Sequence, residues 1–136
     1  MKNNKRFVYE TRPLALAQNI VSGGKYRFTI LTPSLIRMEY SNQGVFEDRA
    51  SQSVFFRDFP ENQFTKESNN GWLKIETGNL ILTYKENEVF AADTLSVKLK
   101  IEPASTWNYG EDFEDLKGTT KTLDEANGAI PLERGI

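Results

Sequence analysis

Apolar and polar residues alternate with a period of two in several short runs along the chain. The cleanest is Leu95 to Glu102, where Leu95, Val97, Leu99 and Ile101 face one way and Ser96, Lys98, Lys100 and Glu102 the other. That is the pattern of a strand with one wet face. Lys25 to Leu31 places Tyr26, Phe28 and Ile30 on one side. Leu35 to Ser41 places Ile36, Met38 and Tyr40 opposite Arg37 and Glu39. The short turn Thr32-Pro33-Ser34 between these runs predicts a hairpin. Gly71 to Glu76 and Leu80 to Tyr84, joined by Thr77-Gly78-Asn79, predict a second. Ser53 to Phe59, with Val54, Phe55, Phe56 and Phe59, reads as a strand buried on both sides for part of its length, and Pro60 to Gln63 breaks it. Phe7 to Glu10 reads as a short strand, Thr11 to Gln18 as a loop or single helical turn, Gly23-Gly24 as a turn, and Val45 to Ser51 as a polar connection.

No window of about 11 or more residues has a strong helical period. Short strands separated by turn signals point to an all-β fold, an antiparallel β-sandwich. Residues 1–136 are expected to be a single domain, a size that supports a core. The stretch from Thr106 to Ile136 is different. It lacks alternation and reads as a long irregular segment, of the kind that in compact domains usually carries function or is disordered.

Composition narrows the chemistry. The chain is 38% hydrophobic and 12% aromatic, which favours folding over disorder. Its 17 basic and 19 acidic residues leave a net charge of −2, so neither nucleic acid nor an anionic membrane is an expected partner. There is no cysteine and no histidine. Disulfides, thiolate catalysis, thiolate zinc clusters and histidine-based triads are therefore excluded within the chain. Any acid–base chemistry would fall to Asp, Glu, Lys or Tyr. Leu14 to Ala17 is too short for a signal-peptide apolar region, and no run is long enough to span a membrane. A cytoplasmic location is the default expectation.

Four features could carry binding. Glu111, Asp112, Glu114 and Asp115 form an acidic cluster that reads as a calcium site, a carboxylate pair or a solvated loop. It lacks the glycine and terminal glutamate of the calcium-loop pattern. Trp72, Trp107 and Tyr109 are candidates for stacking on a sugar ring. For Trp72, inside a strand, core packing is the expectation; for Trp107 and Tyr109 both readings stand. Lys117 to Lys121 lacks the spacing of a phosphate-binding loop and reads as a turn. Thr122 to Gly128 reads as a loop with Asp124 in it and a glycine nearby, where a carboxylate could meet a ligand hydroxyl or simply belong to a surface turn.

The order of these motifs resembles a known family. Arg27-Phe28-Thr29-Ile30-Leu31-Thr32-Pro33-Ser34-Leu35-Ile36-Arg37-Met38-Glu39-Tyr40-Ser41, followed by Phe46-Glu47-Asp48-Arg49-Ala50-Ser51, is similar to the N-terminal domain of glycoside hydrolase family 31, the α-glucosidase family. The similarity continues through Trp107-Asn108-Tyr109-Gly110, Leu116 to Asp124 and Pro131 to Ile136, so that it covers most of residues 25–136. The resemblance implies a galactose-mutarotase-like β-sandwich, incomplete if this chain is a fragment, with residues 106–136 leading toward a (β/α)8 barrel absent here. In the family the barrel supplies both catalytic carboxylates of a retaining mechanism, about 5 Å apart. No position in this chain matches those motifs, and no cofactor or metal is implied. The family's N-terminal domain sends a loop into the barrel mouth, and Thr122 to Gly128 resembles it, with Asp124 as the sugar-contacting aspartate.

Three functions compete at this point. One is a non-catalytic domain of an α-glucosidase-like enzyme, bracing its own C-terminal barrel and lining the pocket for an oligosaccharide substrate. Its exposed docking patch would favour self-association of the isolated piece. The second is a free-standing carbohydrate-binding sandwich using Trp107 and Tyr109. The third is an interaction module without sugar chemistry.

Overall fold

The computed structural model describes residues 9–111. Among the described residues, a 3-10 turn, Ala17–Asn19, leads into eight strands: β1 Ile20–Ser22, β2 Tyr26–Thr32, β3 Leu35–Tyr40, β4 Thr65–Asn69, β5 Trp72–Glu76, β6 Leu80–Lys85, β7 Leu95–Leu99 and β8 Thr106–Asn108. They form two sheets, one of three strands in the order β1-β2-β3 and one of five in the order β4-β5-β6-β7-β8. Every neighbouring pair is antiparallel. The fold is thus the all-β, two-sheet arrangement that the alternation predicts.

The inward sets of the two sheets build one core. Val21, Tyr26, Phe28 and Ile30 come from the smaller sheet; Leu73, Ile75, Leu82, Tyr84 and Leu95 come from the larger. Phe28, Ile30, Ile75, Leu82 and Tyr84 are fully buried. Each such side chain contributes about 1.5–3 kcal/mol by leaving water. The sheets meet through aromatic edges. Tyr84 lies 5.0 Å from Tyr26 at 68° and 5.3 Å from Phe28 at 75°, the edge-to-face geometry that ring quadrupoles favour.

Turn chemistry sets the registers. Asn70 and Gly71 have φ of 51° and 78° between the paired residues Asn69 and Trp72. Two positive-φ residues in a two-residue loop match the twist of the flanking strands. The β2–β3 hairpin turns at Pro33-Ser34 and carries an irregularity between Ile30 and Thr32 that leaves Leu31 as the extra residue. The tips of two hairpins dock. The Thr77 hydroxyl donates to the Pro33 carbonyl at 2.6 Å, and Asn79 Nδ2 donates to Ser34 Oγ at 2.6 Å.

Several expectations need correction. Ser53 to Phe59 is not a strand; its one ladder contact is an isolated parallel bridge between Arg12 and Phe56. Nor is it buried on both sides: Val54 and Phe56 are exposed, and the buried residue of the segment is Arg57. Residues 9 and 10 of the expected first strand are irregular. The β7 strand stops at Leu99, because the chain reverses and the Leu99 N–H donates to the Ser105 carbonyl at 2.7 Å. Ile101 is therefore exposed. The segment from Thr106 opens with a strand, β8, before its remaining residues. Trp72 is not in the core. It is 40% exposed, because Leu73 and Ile75 take the inward positions of β5.

Candidate functional site

The sandwich brings Trp107 and Tyr109 together at one edge of the larger sheet. Trp107 is opposite Val97 in the β7–β8 register and so shares its inward face. Tyr109 follows β8, its N–H donating to the Leu95 carbonyl at 2.9 Å. The Tyr109 ring lies 5.6 Å from Phe90. Phe90 in turn stacks on Phe28 at 5.9 Å and meets Tyr84 edge-on at 5.3 Å. A row of rings thus runs from the core to the surface and ends at Tyr109, which is 41% exposed. The Trp107 and Tyr109 rings are 6.0 Å apart and inclined at 64°. They form two facets rather than one plane, so a sugar ring could stack on one but not across both.

The turn that follows closes the sheet edge. Gly110 has φ of 86°, which lets the chain fold back at once. Glu111 then satisfies both outward backbone groups of Asn108. Its N–H donates to the Asn108 carbonyl at 3.0 Å, and its carboxylate accepts from the Asn108 N–H at 2.9 Å and from Nδ2 at 2.7 Å. Trp107 Nε1 donates to the Glu111 carbonyl at 3.3 Å. The bonds from Asn108 hold the Glu111 carboxyl below its usual range. This carboxylate caps an edge strand. Asp112, Glu114, Asp115, the Lys117–Lys121 turn and Asp124 lie outside the described residues.

No acid–base pair is assembled among the described residues. The shifted carboxyls are Glu47, Glu76, Glu86 and Glu111, and every one is lowered by hydrogen bonds from its donors. A glycosidic general acid needs the opposite shift. Glu86 is held by the Ser68 hydroxyl and then by the Tyr26 hydroxyl. Burial, aided by Glu86, raises the Tyr26 phenol far above its ordinary value, and burial pushes Tyr84 up to about 12. Both phenols stay neutral at any physiological pH. Among the described residues no cluster of three or more acidic side chains could hold a metal ion, and no helix is long and apolar enough to cross a membrane.

The densest electrostatic site was not legible as such in the sequence. Arg27 and Glu39 face each other across β2 and β3. Arg27 donates from Nε and Nη2 to the two Glu39 oxygens at 2.7 and 3.1 Å, and from Nη1 to Asp48 at 2.7 Å. Arg37 reaches Glu39 at 2.7 Å and the Glu47 carbonyl at 2.7 Å. The Arg27 guanidinium also lies over the Phe46 ring at 5.0 Å. Arg57, buried, donates to the Pro13 and Arg49 carbonyls at 3.2 and 3.0 Å. Burial lowers the Arg37 pKa, with the Glu39 charge opposing and those of Arg57 and Arg27 assisting. These contacts tie the connection after β3 onto the sheet's outer face. The motif from Arg27 to Ser51 is therefore a structural clamp. The available signal was the charge match of Arg27 with Glu39 once the hairpin register is drawn.

No family model matches the chain, and no curated protein matches it. Fold and site together define an all-β protein of two packed antiparallel sheets, with an aromatic edge and without an assembled acid–base pair in its described part.

Proposed function

We propose that this chain is a non-catalytic sandwich domain that braces, and helps to line the substrate pocket of, an α-glucosidase-like (β/α)8 barrel in the same polypeptide. The motif order from Arg27 to Ile136 supports the family, and one structural observation supports the bracing role. Tyr9, Leu14, Leu16, Val54 and Phe56 are all exposed, and they come from two segments that lie side by side. Arg12 exchanges backbone hydrogen bonds with Phe55 and Arg57, and Tyr9 stacks on Phe55 at 5.7 Å. Grouped exposed apolar side chains mark a surface meant to be covered.

The test begins with the coding frame beyond codon 136. Continuation into a barrel-sized segment with a pair of aspartates, in a protein that releases glucose from an α-linked oligosaccharide, is the expected result. A stop codon directly after Ile136 would refute the reading. So would a full-length product that leaves α-glucosides intact.

A further inference from the structure

The outer face of the five-stranded sheet carries a tryptophan that the bracing role does not use. Strand alternation turns Trp72, Lys74 and Glu76 outward, and the registers extend this face across the sheet. Trp72 sits between Asn69 on β4 and Lys85 on β6. The next row is Glu67, Lys74, Thr83, Ser96 and Asn108. Beyond it lie Glu76, Ile81, Lys98 and Thr106. Thr83, Ser96 and Asn108 give it a row of short hydroxyl and amide side chains beside Lys74. It crosses four strand spacings, about 19 Å, long enough for an oligosaccharide to lie across the strands.

Its charges are uneven. Lys74 and Lys100 share Glu76 at 3.0 Å each. Among the described residues Lys85 and Lys98 have neither an ion pair nor a side-chain hydrogen bond. Two uncompensated cations therefore stand on this face of a chain whose net charge is −2. One lies directly beside the exposed indole.

From this juxtaposition we infer that the outer face of β5–β8 binds an acidic glycan. One sugar ring stacks on Trp72, its carboxylates meet Lys85 and Lys98, and Thr83, Ser96 and Asn108 contact its hydroxyls. A flat indole face suits the C–H face of a pyranose, and a lysine ammonium suits a uronate as a point charge. Neutral sugars would leave both lysines unused. Nucleic acid would use the same stacking and charge, but a single aromatic on an acidic protein is a poor footprint for it. The inference does not depend on the bracing role, whose apolar patch comes from the segments holding Tyr9, Leu14, Leu16, Val54 and Phe56.

The test is an NMR titration of the 136-residue chain with galacturonate oligosaccharides. Its two tryptophans give two indole N–H signals. The expected result is that the Trp72 signal shifts and the Trp107 signal does not. Trp72→Ala should weaken binding about 10-fold or more, as for a buried aromatic anchor. Lys85→Ala should weaken it about threefold, and less as salt is raised. If Trp72→Ala lowers Tm, Trp72→Phe with Lys85→Glu provides the same comparison. A shift of Trp107 instead, equal binding of maltoheptaose, tighter binding of single-stranded DNA, or no shift at all would overturn the inference.

Discussion

Glu39 is the side chain on which the clamp over the smaller sheet depends. Its carboxylate accepts two hydrogen bonds from Arg27 and one from the Glu47 N–H at 3.3 Å, and it forms an ion pair with Arg37 at 2.7 Å. The Arg27 and Glu39 side chains are only 11% and 13% exposed. Glu39→Gln keeps the shape and removes the charge. Two guanidiniums then face each other with Arg57 close by, and the remaining counter-charges are Asp48, itself half-exposed, and Glu47, already engaged by Arg49. Stranding one partner of a buried pair costs about 3–5 kcal/mol. Solvent access and the surviving Asp48 contact reduce this to about 2–3 kcal/mol.

Such a loss is a large share of the roughly 5–15 kcal/mol that holds a domain together. With a urea m-value of about 1–2 kcal/mol/M, the unfolding midpoint should fall by about 1–3 M. Trp72 and Trp107, both on the other sheet, give a fluorescence readout of global unfolding. Hydrogen exchange of the Arg57 N–H, which donates to the Arg12 carbonyl at 2.8 Å, reports on the clamp itself. The comparison that isolates electrostatics is the triple variant Arg27→Met, Arg37→Met, Glu39→Leu. It strands no charge inside and should be more stable than Glu39→Gln. The reasoning fails if Glu39→Gln stays within about 0.5 kcal/mol of the parent, the range of an ordinary surface change, or if the triple variant is the less stable of the two.

Four further outcomes follow from single contacts. Gly23→Ala would drive a Cβ into the ring of buried Tyr26, whose hydroxyl is anchored on Glu86; overpacking of this kind should cost about 1–3 kcal/mol in a denaturant melt. Gly71→Val meets open space but forces a β-branched residue to φ of 78°, so about 1–2 kcal/mol should be lost through the backbone alone. The Glu86 carboxyl is lowered in the fold from its ordinary 4.5 by Ser68 and Tyr26, so its contribution is present above that value and fades as pH falls through the folded pKa; Glu86→Gln should flatten the decline of Tm below pH 4.5 and leave a shallower acid limb. If the bracing proposal holds, Asp124→Ala in the full-length enzyme should lower kcat/KM about 10- to 150-fold, the loss of one charged hydrogen bond of about 1.5–3 kcal/mol, and an unchanged value would remove Asp124 from the pocket.

Period-two alternation was sufficient wherever a strand had one wet face and one dry face. It located β2, β3, β5, β6 and β7, and in β2, β3 and β7 it also named inward residues, because side-chain direction follows from the pleat. It failed where burial did not follow hydrophobicity. The β4 strand, Thr65–Asn69, is exposed at every position, so it carries no apolar signal. Its Asn70-Gly71 turn was the cue that could have found it, since that pair favours the loop seen here. The phase of residues 53–59 could not be read either. Their inward residue is Arg57, and the energy of that choice lies in carbonyls of Pro13 and Arg49 far along the chain. Trp72 was misplaced for a related reason. A large aromatic in a strand is usually core, yet Leu73 and Ile75 leave it no inward position.

The clamp also bears on what the motif resemblance can mean. Between Arg27 and Ser51 the conspicuous residues are Arg27, Arg37, Glu39, Phe46, Glu47 and Asp48, and each has its partner within this one face of the sandwich. A block whose charges are consumed by one another specifies how a connection is fastened to a sheet, not what the protein binds. Likeness in that block therefore speaks for a shared way of building the sandwich, and a different activity could rest on the same fastening. The weight of the glucosidase proposal falls on the stretch from Trp107 onward. There the described residues make an aromatic edge closed by Glu111, and Asp124, the sugar-contacting aspartate of the proposal, lies outside them. Activity of the full-length protein, rather than stability of this sandwich, is the quantity that decides the proposal.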